Sequence, residues 1–428
     1  MPRFSLVTIS LVVLVLALSG EPPCALAGGY EYNIINPDPG NPHPTRPFDP
    51  KKPFEWNYSY ADGINDEGRM LLHAGHFYLY DGDLIDVGIR SAAQGGINEK
   101  GQIVESNKLW TPAGSGFTET ELPTLGYTAF AWAINDNGVI VGESDYTSVD
   151  MSHACVWHPD GNGGYSITAL DELGGCASLA RGINNKGQIV GFSENTSGSS
   201  RFPCVWEPDG SGGYTFVNLA TVHGQFSLAC DINEKGQIVG RDVAHACLWE
   251  PDGSGGYTPT NLGILPGGEF SGANAINEKG QIVGSSDTQT ILAAFIATDD
   301  DGDGNWTMTK LGSLVDPDTS PHLWSARDIN NNGQIALTAL VYSSLDFHAF
   351  LLTPVPEPGT LALLALGGLF LLKKNSSRKG DCSTIAGNML SGPRKMKRAG
   401  RLEPALRTRH KGCPEGASGV RSPFYRLT

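Results

Sequence analysis

Apolar β-branched residues flank short polar centres along this chain, and one such burst recurs: "GINEKGQIV" from Gly96, "GINNKGQIVG" from Gly182, "DINEKGQIVG" from Asp231 and "AINEKGQIVG" from Ala275. The pattern predicts two strands joined by a tight turn. Aligned on the Ile-Asn pair, seven copies begin at Ile64, Ile97, Ile134, Ile183, Ile232, Ile276 and Ile329, spaced 33, 37, 49, 49, 44 and 53 residues apart. Glycine follows each asparagine at the third position: Asn65 and Gly68, Asn98 and Gly101, Asn135 and Gly138, Asn184 and Gly187, Asn233 and Gly236, Asn277 and Gly280, Asn330 and Gly333. Asparagine opening a type I turn bonds its side chain to the backbone two residues on, and glycine at the fourth position takes the left-handed conformation that returns the chain. These are structural turn residues, and the two polar positions between them are expected to face water.

A second hairpin follows in the fuller copies, in "HACVWHPDGNGGYSITAL" from His153, "FPCVWEPDGSGGYTFVNL" from Phe202 and "HACLWEPDGSGGYTPTNL" from His245. Cys, Trp and Tyr alternate there around a Pro-Asp-Gly turn. Two hairpins give four strands in about 40 to 50 residues, the size of a propeller blade. The expected fold class is all-β: a seven-repeat β-propeller-like ring of short four-stranded units, with a β-solenoid as the alternative. The last copy stops before any "GGYxxxxL" strand, while "GGYEYNII" from Gly28 stands at the other end of the chain. Residues 30–35 are therefore expected to complete the seventh blade and close the ring, which removes exposed edges.

The two ends read differently from the body. Residues 1–27 carry one basic residue, an apolar run from Phe4 and small residues at Ala25 and Ala27, the marks of a signal peptide. Residues 28–354 form the repeat body, with a Pro-rich connection at 36–53, and residues 375–428 read as a basic disordered tail. The net charge of -15 conceals a body of -26 and a segment of +11 from Lys373 onward. An acidic body repels phosphates, which argues against a nucleic-acid partner.

The INxxGxIVG phrase with its His-Ala step (His153-Ala154, His245-Ala246, His348-Ala349) resembles the HAF repeats of bacterial extracellular proteins. The resemblance covers residues 28–354 and implies a secreted propeller-like module without an established catalytic role. "VPEPGTLALLALGGLFLLKK", residues 355–374, resembles a PEP-CTERM sorting signal. That resemblance implies an exosortase-type membrane protease as partner, recognition at Pro356, Glu357 and Pro358, and delivery to the cell surface. The apolar run from Leu361 to Leu372 spans about 18 Å as a helix, short for a bilayer core of roughly 30 Å, so it suits a transient transmembrane helix; an ordinary tail anchor is the alternative. Such signals end soon after their basic cluster, whereas 54 residues follow Lys374 here, as a genuine tail or an extended reading frame.

Candidate chemistry is sparse. Asp299, Asp301 and Asp303, followed by Gly304, have the spacing of the first ligands of a calcium loop, although Thr307 and Lys310 stand at its ninth and twelfth positions. The same stretch aligns with the ordinary Pro-Asp-Gly hairpin turns, so calcium and a plain acidic turn both remain open. His76, His153, His245 and His348 recur at one repeat position, as a packing feature or a partial ring of metal ligands. Of the five cysteines in the body, Cys155, Cys204 and Cys247 read as small core residues, and Cys176 with Cys230 is the pairing left open. No catalytic motif is present. The expected protein is a non-enzymatic secreted or cell-surface protein, a binding or structural component of an extracellular polysaccharide matrix; a propeller-type polysaccharide hydrolase or lyase and a calcium-dependent adhesion module are the alternatives. Because the repeat reads as a brick, function is expected where copies differ, above all in the run from Asp299.

Overall fold

The computed structural model describes residues 32–37 and 58–355, apart from short stretches at 75, 90–94, 146–151, 199, 223, 225, 318–320 and 343–345. The signal peptide 1–27, most of the Pro-rich connection, Pro356, Glu357 and Pro358, the apolar run and the basic tail lie outside the described residues.

Among the described residues, twenty-eight strands form seven four-stranded antiparallel sheets, and the remaining regular element is a short 3-10 turn at Leu311–Ser313. The protein is a seven-bladed β-propeller. Separate antiparallel sheets exclude the solenoid alternative, which needs one continuous coil. The innermost strand of each blade ends on the Ile of an Ile-Asn pair: Tyr60–Ile64, Gly96–Ile97, Ala129–Ile134, Gly174–Ile183, Leu228–Ile232, Ser271–Ile276 and His322–Ile329, for blades 1 to 7. Tyr32–Ile35 is the outer strand of blade 7 and pairs antiparallel with Asp346–Pro354, Tyr32 opposite Pro354 and Ile35 opposite Leu351. The ring thus closes on strands from the two ends of the body.

Each Asn-x-x-Gly turn carries the chain from the inner strand to the second. The glycine N–H donates to the asparagine carbonyl at 3.0 Å in all seven, with glycine φ between 71° and 83°. Since strands alternate direction, these turns and the Pro-Asp-Gly turns share one side of the disc, here the turn face. The loops between blades, and those between second and third strands, share the other, the loop face.

Seven hydrophobic clusters fill the seven blade-to-blade interfaces. Trp157, Trp206 and Trp249 are fully buried, and a buried indole needs an acceptor. Each Nε1 donates at 2.7 Å to a carbonyl in the preceding inter-blade loop, those of Pro123, Asp171 and Ala220. The "C-V-W" position therefore packs the core and pins the loop face at once. Cys155, Cys204 and Cys247 are buried beside these indoles, and burial raises their thiol pKa values.

Six inner strands carry a β-bulge three residues before their asparagine. The bulge drives inner backbone onto the last glycine of INxxGxIVG. A Cβ on Gly142, Gly191, Gly240 or Gly284 would lie 1.8 to 2.1 Å from a carbonyl oxygen, so only glycine fits there.

No disulfide joins Cys176 to Cys230, which corrects the pairing left open on sequence. Cys230 stands three residues before Asn233, whereas Cys176 stands eight before Asn184 on the neighbouring blade. Five residues of strand separate their levels by about 16 Å, beyond the reach of a disulfide.

Candidate functional site

The repeated phrase surrounds the axis. Each turn asparagine is buried, and its Oδ1 accepts the backbone N–H four residues on, as in Gln102 to Asn98 and Gln188 to Asn184. Its Nδ2 donates to the backbone carbonyl of the next asparagine around the ring: Asn65 to Asn98, then Asn135, Asn184, Asn233, Asn277, Asn330 and back to Asn65, at 2.9 to 3.2 Å. The relay is closed.

The next residue builds a second closed ring. The N–H of Asp66 donates to the side chain of Glu99, and the pattern continues through Asp136, Asn185, Glu234, Glu278 and Asn331, whose N–H returns to Asp66, at 2.6 to 2.9 Å. These side chains line a cavity of about 220 Å³ at the axis on the turn face. The expectation that both middle turn positions simply face water is therefore half right. The second positions, such as Lys100, Lys186 and Lys279, are exposed, while the first turn inward. A role confined to packing does not describe this phrase.

Deeper in the channel the repeat stops repeating. The bulged position holds Asp62, Trp132, Arg181, Cys230, Asn274 and Arg327, with Gly95 in blade 2. Arg181 of blade 4 acts electrostatically on Arg327 of blade 7 and on Cys230 of blade 5, and Arg327 acts on Asp62 of blade 1. Their shared register on the inner strands of successive blades sets these groups around the axis. Burial, then repulsion from Arg181, lowers the Arg327 pKa. Asp231 and Asp328 stand one residue further on. Burial raises the Asp231 carboxyl, and burial together with Asp231 raises Asp328 to about 7. The Asp62 side chain is fully buried; Oδ2 meets Nδ1 of His73 at 2.7 Å, and Oδ1 has no hydrogen-bond partner among the described residues. Burial raises its pKa against the pull of His73.

The loop face is aromatic. Tyr127, Phe130, Phe226, Phe270 and Tyr342, the exposed aromatics among the described residues, all lie on it. Rings also run in contact from Tyr60 near the channel through Phe347, Trp324 and His322 to Tyr342, with centroids 5.1 to 6.2 Å apart. Polar groups intervene: the Glu143 carboxylate takes the Ser152 hydroxyl at 2.5 Å, and Arg201 pairs with Glu194 at 3.1 Å while covering Phe192.

Asp299, Asp301 and Asp303 occupy the second-hairpin turn of blade 6, with carboxylate oxygens within 4.8 Å of one another. In the equivalent turns Asp160, Asp209 and Asp252 each accept two backbone N–H groups at 2.7 to 3.0 Å. Here Asp301 accepts one at 3.4 Å, and Asp299 takes Gly304 instead. Thr307 and Lys310 are strand residues paired with Thr298 and Phe295, so further ligands do not fold back from them. His76, His153, His245 and His348 are not gathered: among the described residues no metal-sized cluster contains a histidine.

Comparison with known proteins adds the following. Residues 354–375 match the PEP-CTERM protein-sorting motif, which supports export, surface sorting and recognition by a membrane exosortase. Residues 105–246 match the family described as a protein of unknown function, DUF3466; this match, not one to HAF repeats, covers part of the body. No curated protein matches the chain. Two of the solved structures to which the chain is similar are the following. One is a gluconolactonase from Xanthomonas campestris, 8% identical, covering 78% of this chain and 93% of its own with a TM-score of 0.38. The other is a candidate gluconolactonase, 11% identical, covering 76% and 97% with a TM-score of 0.36. Likeness at this level carries no argument about activity. Among the described residues no helix is long and apolar enough to cross a membrane, and the expected apolar helix lies outside them.

Proposed function

We propose that this secreted, surface-sorted propeller binds extracellular polysaccharide on its loop face and does not turn it over. The observation that carries this reading is the segregation of the exposed aromatics onto that face. Sugar rings present C–H faces that stack on aromatic side chains, and rigid rings lose little entropy on binding. The interleaved Glu143, Ser152, Glu194 and Arg201 supply acceptors and donors for hydroxyl groups. A glycan panel titrated against the purified protein tests it. Binding is expected to weaken in Tyr127→Ala, Phe226→Ala and Tyr342→Ala with melting temperature unchanged; absence of binding across the panel defeats the reading.

The Asp62–His73 pair favours a second reading, a polysaccharide hydrolase or lyase. A carboxylate on Nδ1 fixes the orientation of an imidazole and leaves Nε2 for a substrate proton, the arrangement a general base uses. Products accumulating from a bound glycan, and lost in His73→Gln, would support turnover over binding.

A further inference from the structure

We infer that Arg181 and Arg327 form an anion site in the central channel and that it takes the carboxylate of an acidic sugar. The inference rests on the glycan reading of the loop face and names the class of glycan.

Arg181 and Arg327 occupy the same bulged register, three residues before the turn asparagine, on the inner strands of blades 4 and 7, and the inner strands surround the axis. Both residues keep part of their surface accessible, although Arg327 lies deep enough for burial to lower its pKa, and neither side chain has a hydrogen bond or ion pair among the described residues. The carboxylates nearby are engaged elsewhere. Asp231 accepts the N–H groups of Ile232 and Ile276, Asp328 those of Ile329 and Ile64, and Asp62 is held by His73. Cys230 stays a neutral thiol, because burial raises its pKa. Two guanidinium groups left unpaired in so acidic a body are a donor array without an acceptor.

A carboxylate fits that array. It is planar and takes two parallel N–H bonds from a guanidinium, and a second guanidinium offsets the repulsion of the surrounding acids. A neutral sugar would leave both charges unmatched. The line of rings from Tyr342 ends at Tyr60, two residues from Asp62 on the same inner strand. A chain stacked along that line brings its end to the channel.

Calorimetric titration of the full protein with a galacturonate oligosaccharide and with its neutral methyl ester separates the two ideas. The acid is expected to bind at least about tenfold tighter than the ester. Arg181→Gln and Arg327→Gln are expected to bring the acid down to the affinity of the ester while leaving the ester unchanged. Arg327→Lys keeps the charge with less change in packing and is expected to retain part of the preference. Equal binding of acid and ester by the unmodified protein overturns the anion site and leaves the glycan reading standing. No binding of either overturns both for this glycan class. Equal loss of acid and ester in all three variants, with unchanged melting, also overturns the anion site.

Discussion

The side-chain amide of Asn330 donates to the backbone carbonyl of Asn65 at 2.9 Å, joining residues 265 apart in sequence. It is the seventh link of the asparagine relay, and it ties the last blade to the first beside the strand pairing of Tyr32–Ile35 with Asp346–Pro354. Asn330 meanwhile accepts the N–H groups of Asn332 and Gln334 through Oδ1. Aspartate preserves those acceptors and removes the donor, leaving a carboxylate against a carbonyl. Asn330→Asp is therefore expected to destabilise the protein by about 1 to 3 kcal/mol, read by urea unfolding. A variant as stable as the parent would show that strand pairing alone closes the ring.

The glycine ending each INxxGxIVG phrase makes a sharper demand. A Cβ on Gly191 would sit 1.8 Å from the Leu179 carbonyl oxygen, a contact that backbone must move to relieve. Gly191→Ala is expected to lower stability by several kcal/mol, whereas alanine at Gly161, whose added Cβ meets nothing, has only its positive φ to contend with. Comparable melting temperatures for the two variants would mean that the bulge relaxes freely.

Local chemistry explains what was legible in the sequence. Asn65 with Gly68 and its six counterparts announce a turn because side chain and backbone of four residues suffice to make one. The spacing of the copies gave the blade, and the displaced "GGYEYNII" gave the closure. The second ring was hidden, since Asp66 meets Glu99 only once seven units stand about an axis. So was the channel, although a signal existed: three residues before each asparagine, the repeat changes from Asp62 to Trp132, Arg181, Cys230 and Arg327. A column that varies inside a repeat that does not is where a site shows, and the notable run at Asp299 drew attention from it.

That run still makes its own prediction. Asp299, Asp301 and Asp303 converge, but they supply three ligands where calcium takes six to eight oxygens, so waters must complete the shell and affinity is expected to be weak. Melting temperature is expected to rise with millimolar calcium, and Asp301→Asn with Asp303→Asn is expected to abolish the rise. A melt indifferent to calcium identifies an acidic turn.

Buried channel acids set the response to pH. Asp328, raised to about 7, keeps its proton in the folded protein under conditions where an unfolded chain, with the ordinary aspartate value of 3.8, has lost it. Between those values the folded state binds more protons, so stability falls as pH rises, and the loss is complete once pH passes the folded value. Burial raises Asp62, Asp231 and Glu143 in the same direction. The carboxyls whose pKa is lowered, Asp209, Asp252 and Asp303, lie on exposed turns and titrate below this window. His158 and His322, whose pKa values burial lowers, act in the opposite direction below their ordinary value of 6.5, so melting temperature is expected to decline chiefly above it, up to about pH 8. Asp328→Asn removes the ionisation and gives up one of the two backbone donors, Ile64 and Ile329, that the carboxylate now satisfies. The variant is expected to melt lower than the parent at the acidic end and to show a flatter decline, so that the two curves converge toward alkaline pH. Parallel curves would mean that Asp328 is already ionised across the range and that its two backbone donors, not its proton, hold it in the wall of the channel.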